Sequence, residues 1–122
     1  MAKVMVVDDE TDLRNLVKLI MEKEGFEVET AENGADFLSK VDKFKPDLVL
    51  LDVMMPGLTT REILEKLKEK NTQPKIVLLT VVRYSDEEKE QLFKMENIVD
   101  YITKPFDVQK LVSAVSQHIA AA

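Results

Sequence analysis

Along this chain, short apolar runs alternate with segments in which hydrophobic residues recur every three or four positions. The first pattern is that of strands and the second that of amphipathic helices. Their strict alternation predicts a parallel sheet joined by crossover helices. Strands are expected at about Ala2 to Val7, Glu27 to Glu29, Asp47 to Leu51, Lys75 to Leu79 and Val99 to Ile102. The first, third and fourth lack polar alternation, which predicts burial on both faces. The second is short and carries Glu27 and Glu29, so it is expected at an edge. Between strands, Leu13, Leu16, Val17, Ile20 and Met21 form the inward stripe of a first helix, which Gly25 ends. A second helix near Gly34 to Lys43 offers Phe37, Leu38 and Val41. Thr59-Thr60-Arg61-Glu62 and Ser85-Asp86-Glu87-Glu88 read as capping boxes, in which the hydroxyl accepts from the N3 amide and the Glu carboxylate from the cap amide. They open a third helix with Ile63, Leu64 and Leu67 inside, and a fourth with Leu92 and Phe93 inside. Asp107 is expected to cap a fifth, whose inner stripe is Val108, Leu111, Val112, Val115 and Ile119. The terminal Ala120-Ala121-Ala122 is expected to fray.

Five strands and five helices with right-handed crossovers leave few topologies. The expected architecture is α/β, a (βα)5 doubly wound sandwich of the flavodoxin-like kind. Its five-stranded parallel sheet has the order 2-1-3-4-5, with helices on both faces. This order centres the most apolar strands and leaves the polar second strand at an edge. A ligand crevice then lies beyond the carboxyl ends of strands one and three, where the winding direction reverses. Asp8-Asp9 follow the first strand, Asp52 the third, Thr80 the fourth and Lys104-Pro105 the fifth, all at one edge of the sheet.

Composition narrows the partners. The 122 residues suffice for one domain and leave no room for a second. Hydrophobic residues at 45% and charged ones at 33% are a globular balance. With 17 Lys and Arg against 23 Asp and Glu, the net charge of -6 repels a phosphate backbone, so no direct nucleic-acid partner is expected. The absence of Cys removes disulfide and thiolate chemistry. No signal-peptide pattern and no apolar stretch of about 20 residues occurs, so a soluble, cytoplasmic protein without a membrane partner is expected.

Carboxylates sharing one crevice repel, and without a counter-charge at least one pKa rises. A cation resolves the conflict. Mg²⁺ takes oxygen ligands, keeps several waters and is held by one or two carboxylates beside a phosphate oxygen; Mn²⁺ is the alternative. Asp9 and Asp52 suit direct ligation, Asp8 ligation through water, and the backbone carbonyl of Met54 one further oxygen. His118 is the only His and lies in the last helix, so a zinc or non-haem iron site is not expected and a solvated helix residue is. Asp52 is also a candidate nucleophile, since a carboxylate attacking phosphorus gives an acyl phosphate. Lys104 would offset the charge of the transferring oxygens, and Thr80 would donate its hydroxyl to one. Pro105 would hold the loop so that Lys104 points inward, for which a cis Lys104-Pro105 bond is one route. Singly, each residue has an ordinary role: Asp8-Asp9 can cap a helix, Asp52 can end a strand, and Lys104-Pro105 can make a turn. Their coincidence at four strand ends on one edge favours a site.

The runs Val4-Met5-Val6-Val7-Asp8-Asp9-Glu10, Pro46-Asp47-Leu48-Val49-Leu50-Leu51-Asp52-Val53-Met54-Met55-Pro56-Gly57 and Asp100-Tyr101-Ile102-Thr103-Lys104-Pro105-Phe106 resemble the receiver domain of two-component response regulators. The resemblance covers nearly the whole chain and is closest to single-domain, chemotaxis-regulator-like receivers. It implies one receiver domain over residues 1–122 without an output domain. It implies a phosphoprotein in which Asp52 accepts a phosphoryl group, Asp8 and Asp9 bind Mg²⁺, Thr80 and Lys104 contact the phosphoryl group, and Tyr101 is the switch aromatic. The implied donor is phosphohistidine on a sensor histidine kinase or histidine phosphotransfer protein. The response, a population shift between two packings, would remodel the face of the fourth helix, fifth strand and fifth helix toward an unidentified output protein or a second copy of the chain. No turnover of an external substrate is implied.

Departures from the family pattern carry further expectations. Thr59-Thr60 replace the common Asp-Gly, altering the loop but keeping the capping box. Val81 replaces a small residue and would crowd the space into which Thr80 and Tyr101 move. Asn97 replaces Gly, in a left-handed conformation that Asn tolerates, and Ile98 replaces Ala. Met54 and Val82 flank the approach of hydrolytic water without a group to orient it, which predicts a long-lived phosphoryl group. Two other readings stand beside the switch: a receiver-like adaptor that binds partners without phosphorylation, and a phosphatase with an Asp nucleophile. The second lacks its general acid, since Met54 holds the place of the required second Asp.

Overall fold

The computed structural model describes residues 2–81, 84–94 and 97–119. Elements alternate as β1 (Lys3–Val7), α1 (Thr11–Lys23), β2 (Glu27–Ala31), α2 (Gly34–Phe44), β3 (Leu48–Asp52), α3 (Thr60–Glu69), β4 (Lys75–Thr80), α4 (Asp86–Phe93), β5 (Ile98–Thr103) and α5 (Val108–Ile119). The five strands form one parallel sheet in the order β2-β1-β3-β4-β5. Every residue of β3 is buried, and β4 is buried after Lys75, as two-faced burial requires. The polar β2 lies at an edge, and it runs two residues beyond Glu29.

One face of the sheet packs Val17, Ile20 and Met21 of α1 and Leu111, Val115 and Ile119 of α5 against Val4, Val6, Leu48 and Leu50. The other packs Phe37, Leu38 and Val41 of α2 and Ile63 and Leu67 of α3 against Met5, Val7, Val49 and Leu51. Neighbouring side chains of one strand therefore feed opposite cores, and helices on both faces leave the strand ends as the place for a crevice. β5 carries one extra residue: Ile76 pairs with Ile98 and Val77 with Asp100, so Val99 is bulged out of the ladder.

Helix ends follow their local chemistry. Gly25, at φ 91°, closes α1, with its N–H bonded to the Glu22 carbonyl and that of Phe26 to Met21. Both capping boxes form, Thr59 with Glu62 and Ser85 with Glu88, and Asp107 accepts from the Lys110 amide. Thr59→Ala is expected to cost about 1 kcal/mol, the usual worth of such a cap. A matching fall in the urea midpoint at unchanged slope is the check.

The inward stripes are narrower than the apolar pattern implies. Leu16 is 50% exposed and Val108 54%. Leu16 sits on the flank of a stripe centred on Leu13, Val17, Ile20 and Met21, and Val108 lies in the first turn of α5, at the rim of the sheet. Phe93 is also exposed, Leu92 only half-buried, and α4 buries none of its residues. The Asn97 side-chain amide donates to the Pro74 carbonyl at 3.3 Å. Ala120-Ala121-Ala122 lie outside the described residues, and no helix among these is long and apolar enough to cross a membrane.

Candidate functional site

Parallel winding delivers the chemistry to one edge. Asp8 leaves β1 with its N–H still bonded to the Ala31 carbonyl of β2, which prolongs the ladder by one residue. Asp52 is the last residue of β3 and Thr80 the last of β4. Lys104 follows β5, and its N–H donates to the Thr80 carbonyl at 2.6 Å. Asp8, Asp52 and Thr80 are buried, at 1%, 5% and 0% exposure, while Asp9 faces solvent. One carboxylate oxygen from each of Asp8, Asp9 and Asp52 lies within 4.8 Å of the others.

The Lys104 ammonium stands between the two buried acids, 3.1 Å from Asp8 Oδ2 and 3.6 Å from Asp52 Oδ1. Asp8 Oδ1 accepts the Glu10 N–H at 2.9 Å, and Asp52 Oδ1 accepts the Met54 N–H at 3.0 Å. Burial raises the Asp52 pKa above the ordinary carboxylate value, against the pull of the Met54 amide; the Asp8 charge adds to the rise and Lys104 opposes it. A crevice of about 500 Å³ opens beside Asp9, between Asn33 and Gly34 at the start of α2 and Pro56 to Leu58 after β3. This is access for a reactant on the side of the exposed carboxylate.

Asp8, Asp9, Asp52 and Lys104 thus come together as the sequence predicts, with Thr80 at the adjoining strand end. The Lys104-Pro105 peptide is cis. The Met54 amide donates to Asp52, and the Met54 side chain is 63% exposed. Tyr101 lies apart from the carboxylates, half-buried against the core of the α2 and α3 face. Val81, which follows the end of β4, is 59% exposed. Val82 lies outside the described residues. His118 is not a solvated residue: its ring, only 18% exposed, places Nε2 3.2 Å from Asp100 Oδ2.

Arg14 is a site neighbour that the sequence reading passes over. Its Nη1 donates to the Asp8 carbonyl at 2.7 Å. The available signal is a cation near the start of a helix, where the dipole favours anions, and a contact beyond the helix explains it.

Known proteins converge on one reading. The family model described as response regulator receiver domain matches residues 4–116. The transcriptional regulatory protein TrcR of Mycobacterium tuberculosis is 36% identical over 112 residues, which span 91% of this chain but 42% of that protein. The chain therefore spans less than half the length of this curated relative. The chemotaxis protein CheY4 of Vibrio cholerae superposes with a TM-score of 0.86 at 30% identity, over 98% of this chain and 99% of that one. The response regulator TrrA of Thermotoga maritima, in complex with Mg²⁺ and a beryllium fluoride, gives 0.79 at 34% identity over 98% of this chain and 100% of that one. With the fold, the acidic pocket and these matches in agreement, the chain belongs to the response regulator receiver domain family of two-component systems.

Proposed function

We propose that this receiver domain is a phosphorylation-controlled switch in a two-component phosphorelay, with Asp52 as phosphoacceptor. The observation that carries the reading is the meeting of three carboxylates and the Lys104 ammonium at one sheet edge. The donor set suits Mg²⁺: hard oxygens only, one from each carboxylate and all within 4.8 Å of one another, where two ligands of one Mg²⁺ stand up to roughly 4.2 Å apart at 2.0–2.1 Å bond lengths. Asp9 and Asp52 would ligate directly, joined by the Met54 carbonyl. Asp8, whose two oxygens already serve Glu10 N–H and Lys104, would act through water. The bound cation would neutralise phosphate oxygens during transfer. The beryllium fluoride complex of TrrA, a group shaped like a phosphoryl, supports the carry-over.

In the transfer, an Asp52 carboxylate oxygen forms a bond to phosphorus as the bond to the donor imidazole nitrogen breaks. The electron pair stays on that nitrogen, which takes up a proton, and the product is an acyl phosphate. Asp52 Oδ1 is engaged by the Met54 N–H, which orients the group and leaves Oδ2 as the attacking atom. Lys104 is placed to receive charge on the transferred oxygens, and Thr80 to donate its hydroxyl to one. The donor would be a sensor histidine kinase or a histidine phosphotransfer protein in the cytoplasm. The α4, β5 and α5 face, with Tyr101 as its switch, would present the result to an output protein or to a second copy of the chain. The domain would work as a single receiver unit, as a signalling protein without turnover of an external substrate.

Incubation with Mg²⁺ and acetyl phosphate tests this by intact mass. A gain of one phosphoryl group that disappears in Asp52→Ala and on chelation of Mg²⁺ is expected. No gain in the unmodified protein would favour a phosphorylation-independent adaptor.

A further inference from the structure

The ring of Tyr101 is gripped from two directions. Tyr84, between β4 and α4, meets it edge-on, with centroids 5.4 Å apart and planes at 81°. The Lys89 ammonium of α4 lies 5.6 Å from its centroid. The backbone is held as well, since the Tyr101 N–H donates to Asp100 Oδ1 at 2.8 Å. These contacts matter more here than in a well-buried helix, because α4 buries no residue fully and only Leu92 of its apolar side chains packs against the core. An edge-to-face pair or a cation over a ring face shifts an equilibrium by about tenfold at most. That is too little to fix a fold and enough to bias two packings of one surface.

We infer that Tyr84 is a positioning residue of the switch. It stands four residues past Thr80, and its ring couples displacement of the chain beyond Thr80 to the Tyr101 ring, with Lys89 as the second point of hold. The inference rests on the proposed role of Asp52, Thr80 and Tyr101. It assigns to Tyr84 and Lys89 the transmission of the signal and no part in the phosphoryl transfer, which occurs at Asp52, the carboxyl end of the neighbouring β3. A side chain without a ring at position 84 would leave Thr80 and Tyr101 in place and unlink them.

The composition supplies the probe. The chain has two Tyr and no Trp, so its intrinsic emission comes from Tyr84 and Tyr101 alone. Tyr84→Phe keeps a ring edge and leaves Tyr101 as the sole emitter, and Tyr84→Ala removes the edge. Each protein is treated with Mg²⁺ and acetyl phosphate, with intact mass giving occupancy and tyrosine emission giving the response of Tyr101. Equal phosphorylation of all three is expected. The emission change per phosphorylated molecule should persist in Tyr84→Phe, fall at least threefold in Tyr84→Ala, and fall partway in Lys89→Met. Tyr84→Leu replaces Tyr84→Ala if the latter does not unfold cooperatively. An equal emission change in the ring-deleted and Phe variants overturns the inference while leaving the phosphoacceptor role intact. No mass gain in the unmodified protein overturns the phosphoacceptor role itself.

Discussion

Lys104→Met is expected to lower the unfolding free energy by about 3 kcal/mol in metal-free buffer, the scale of loss when a buried ion pair is deprived of one partner. The ammonium stands within 3.1 Å of Asp8 and 3.6 Å of Asp52, both almost fully buried. Met keeps most of the stem volume and removes only the charge, so the loss reports on two carboxylates left facing each other rather than on a cavity. Mg²⁺ should then restore much of it. A ligand at a hundredfold excess over its Kd contributes about 2.7 kcal/mol, and the variant has the greater need of a cation. Urea unfolding with chelator and with Mg²⁺ is the measurement. A variant as stable as the parent in chelator would show that solvent, not Lys104, carries the charge of these acids.

Asp52→Asn should have the opposite sign at neutral pH. Burial and the Asp8 charge hold the folded Asp52 pKa above its unfolded value of 3.8. The folded protein therefore binds this proton up to a higher pH than the unfolded chain does. Its stabilising contribution is complete below the unfolded value and is lost as pH rises through the folded one. At neutral pH the ionised group is a standing cost, which the amide removes while its oxygen still accepts the Met54 N–H. The Asp52→Asn variant is expected to unfold at higher urea than the parent near neutral pH in chelator. The advantage should shrink on acidification toward the unfolded pKa, and added Mg²⁺ should narrow it by stabilising the parent more. Urea midpoints across this range decide it. An advantage independent of pH would place its origin outside the Asp52 titration.

Both expectations rest on residues that could be found before any coordinates, and the reason is local. The pair Asp8-Asp9 and Asp52 each directly follow an unbroken apolar run, and such runs are unambiguous when a strand is buried on two faces. Thr59 and Ser85 were legible because a cap and its Glu partner are three residues apart, within reach of any reading of the chain. What escaped depends on how elements lie against each other. Periodicity marks Leu16, Phe93 and Val108 as apolar, but their exposure is set by where a helix overhangs the sheet. The pairing of His118 with Asp100 requires α5 to lie along β5, and the turn from Arg14 back to the Asp8 carbonyl requires a particular side-chain path. The two rings at Tyr84 and Tyr101 meet across a gap in sequence that no short-range pattern spans.

The unpaired Val99 has a further meaning. In a strand, parity decides which face a side chain serves, and a single inserted residue inverts it for everything downstream. Because Val77 is opposite Asp100 rather than Val99, Asp100 shares the α5 face, where His118 meets it, and Tyr101 shares the α4 face with Leu78. With an even register the two would trade places: the carboxylate would lie among Leu78 and its apolar neighbours, and the ring would turn to α5, beyond the reach of Tyr84. The spare residue thus works as a frame shift written in backbone, and it gives one short strand a charged contact on one side of the sheet and an aromatic one on the other.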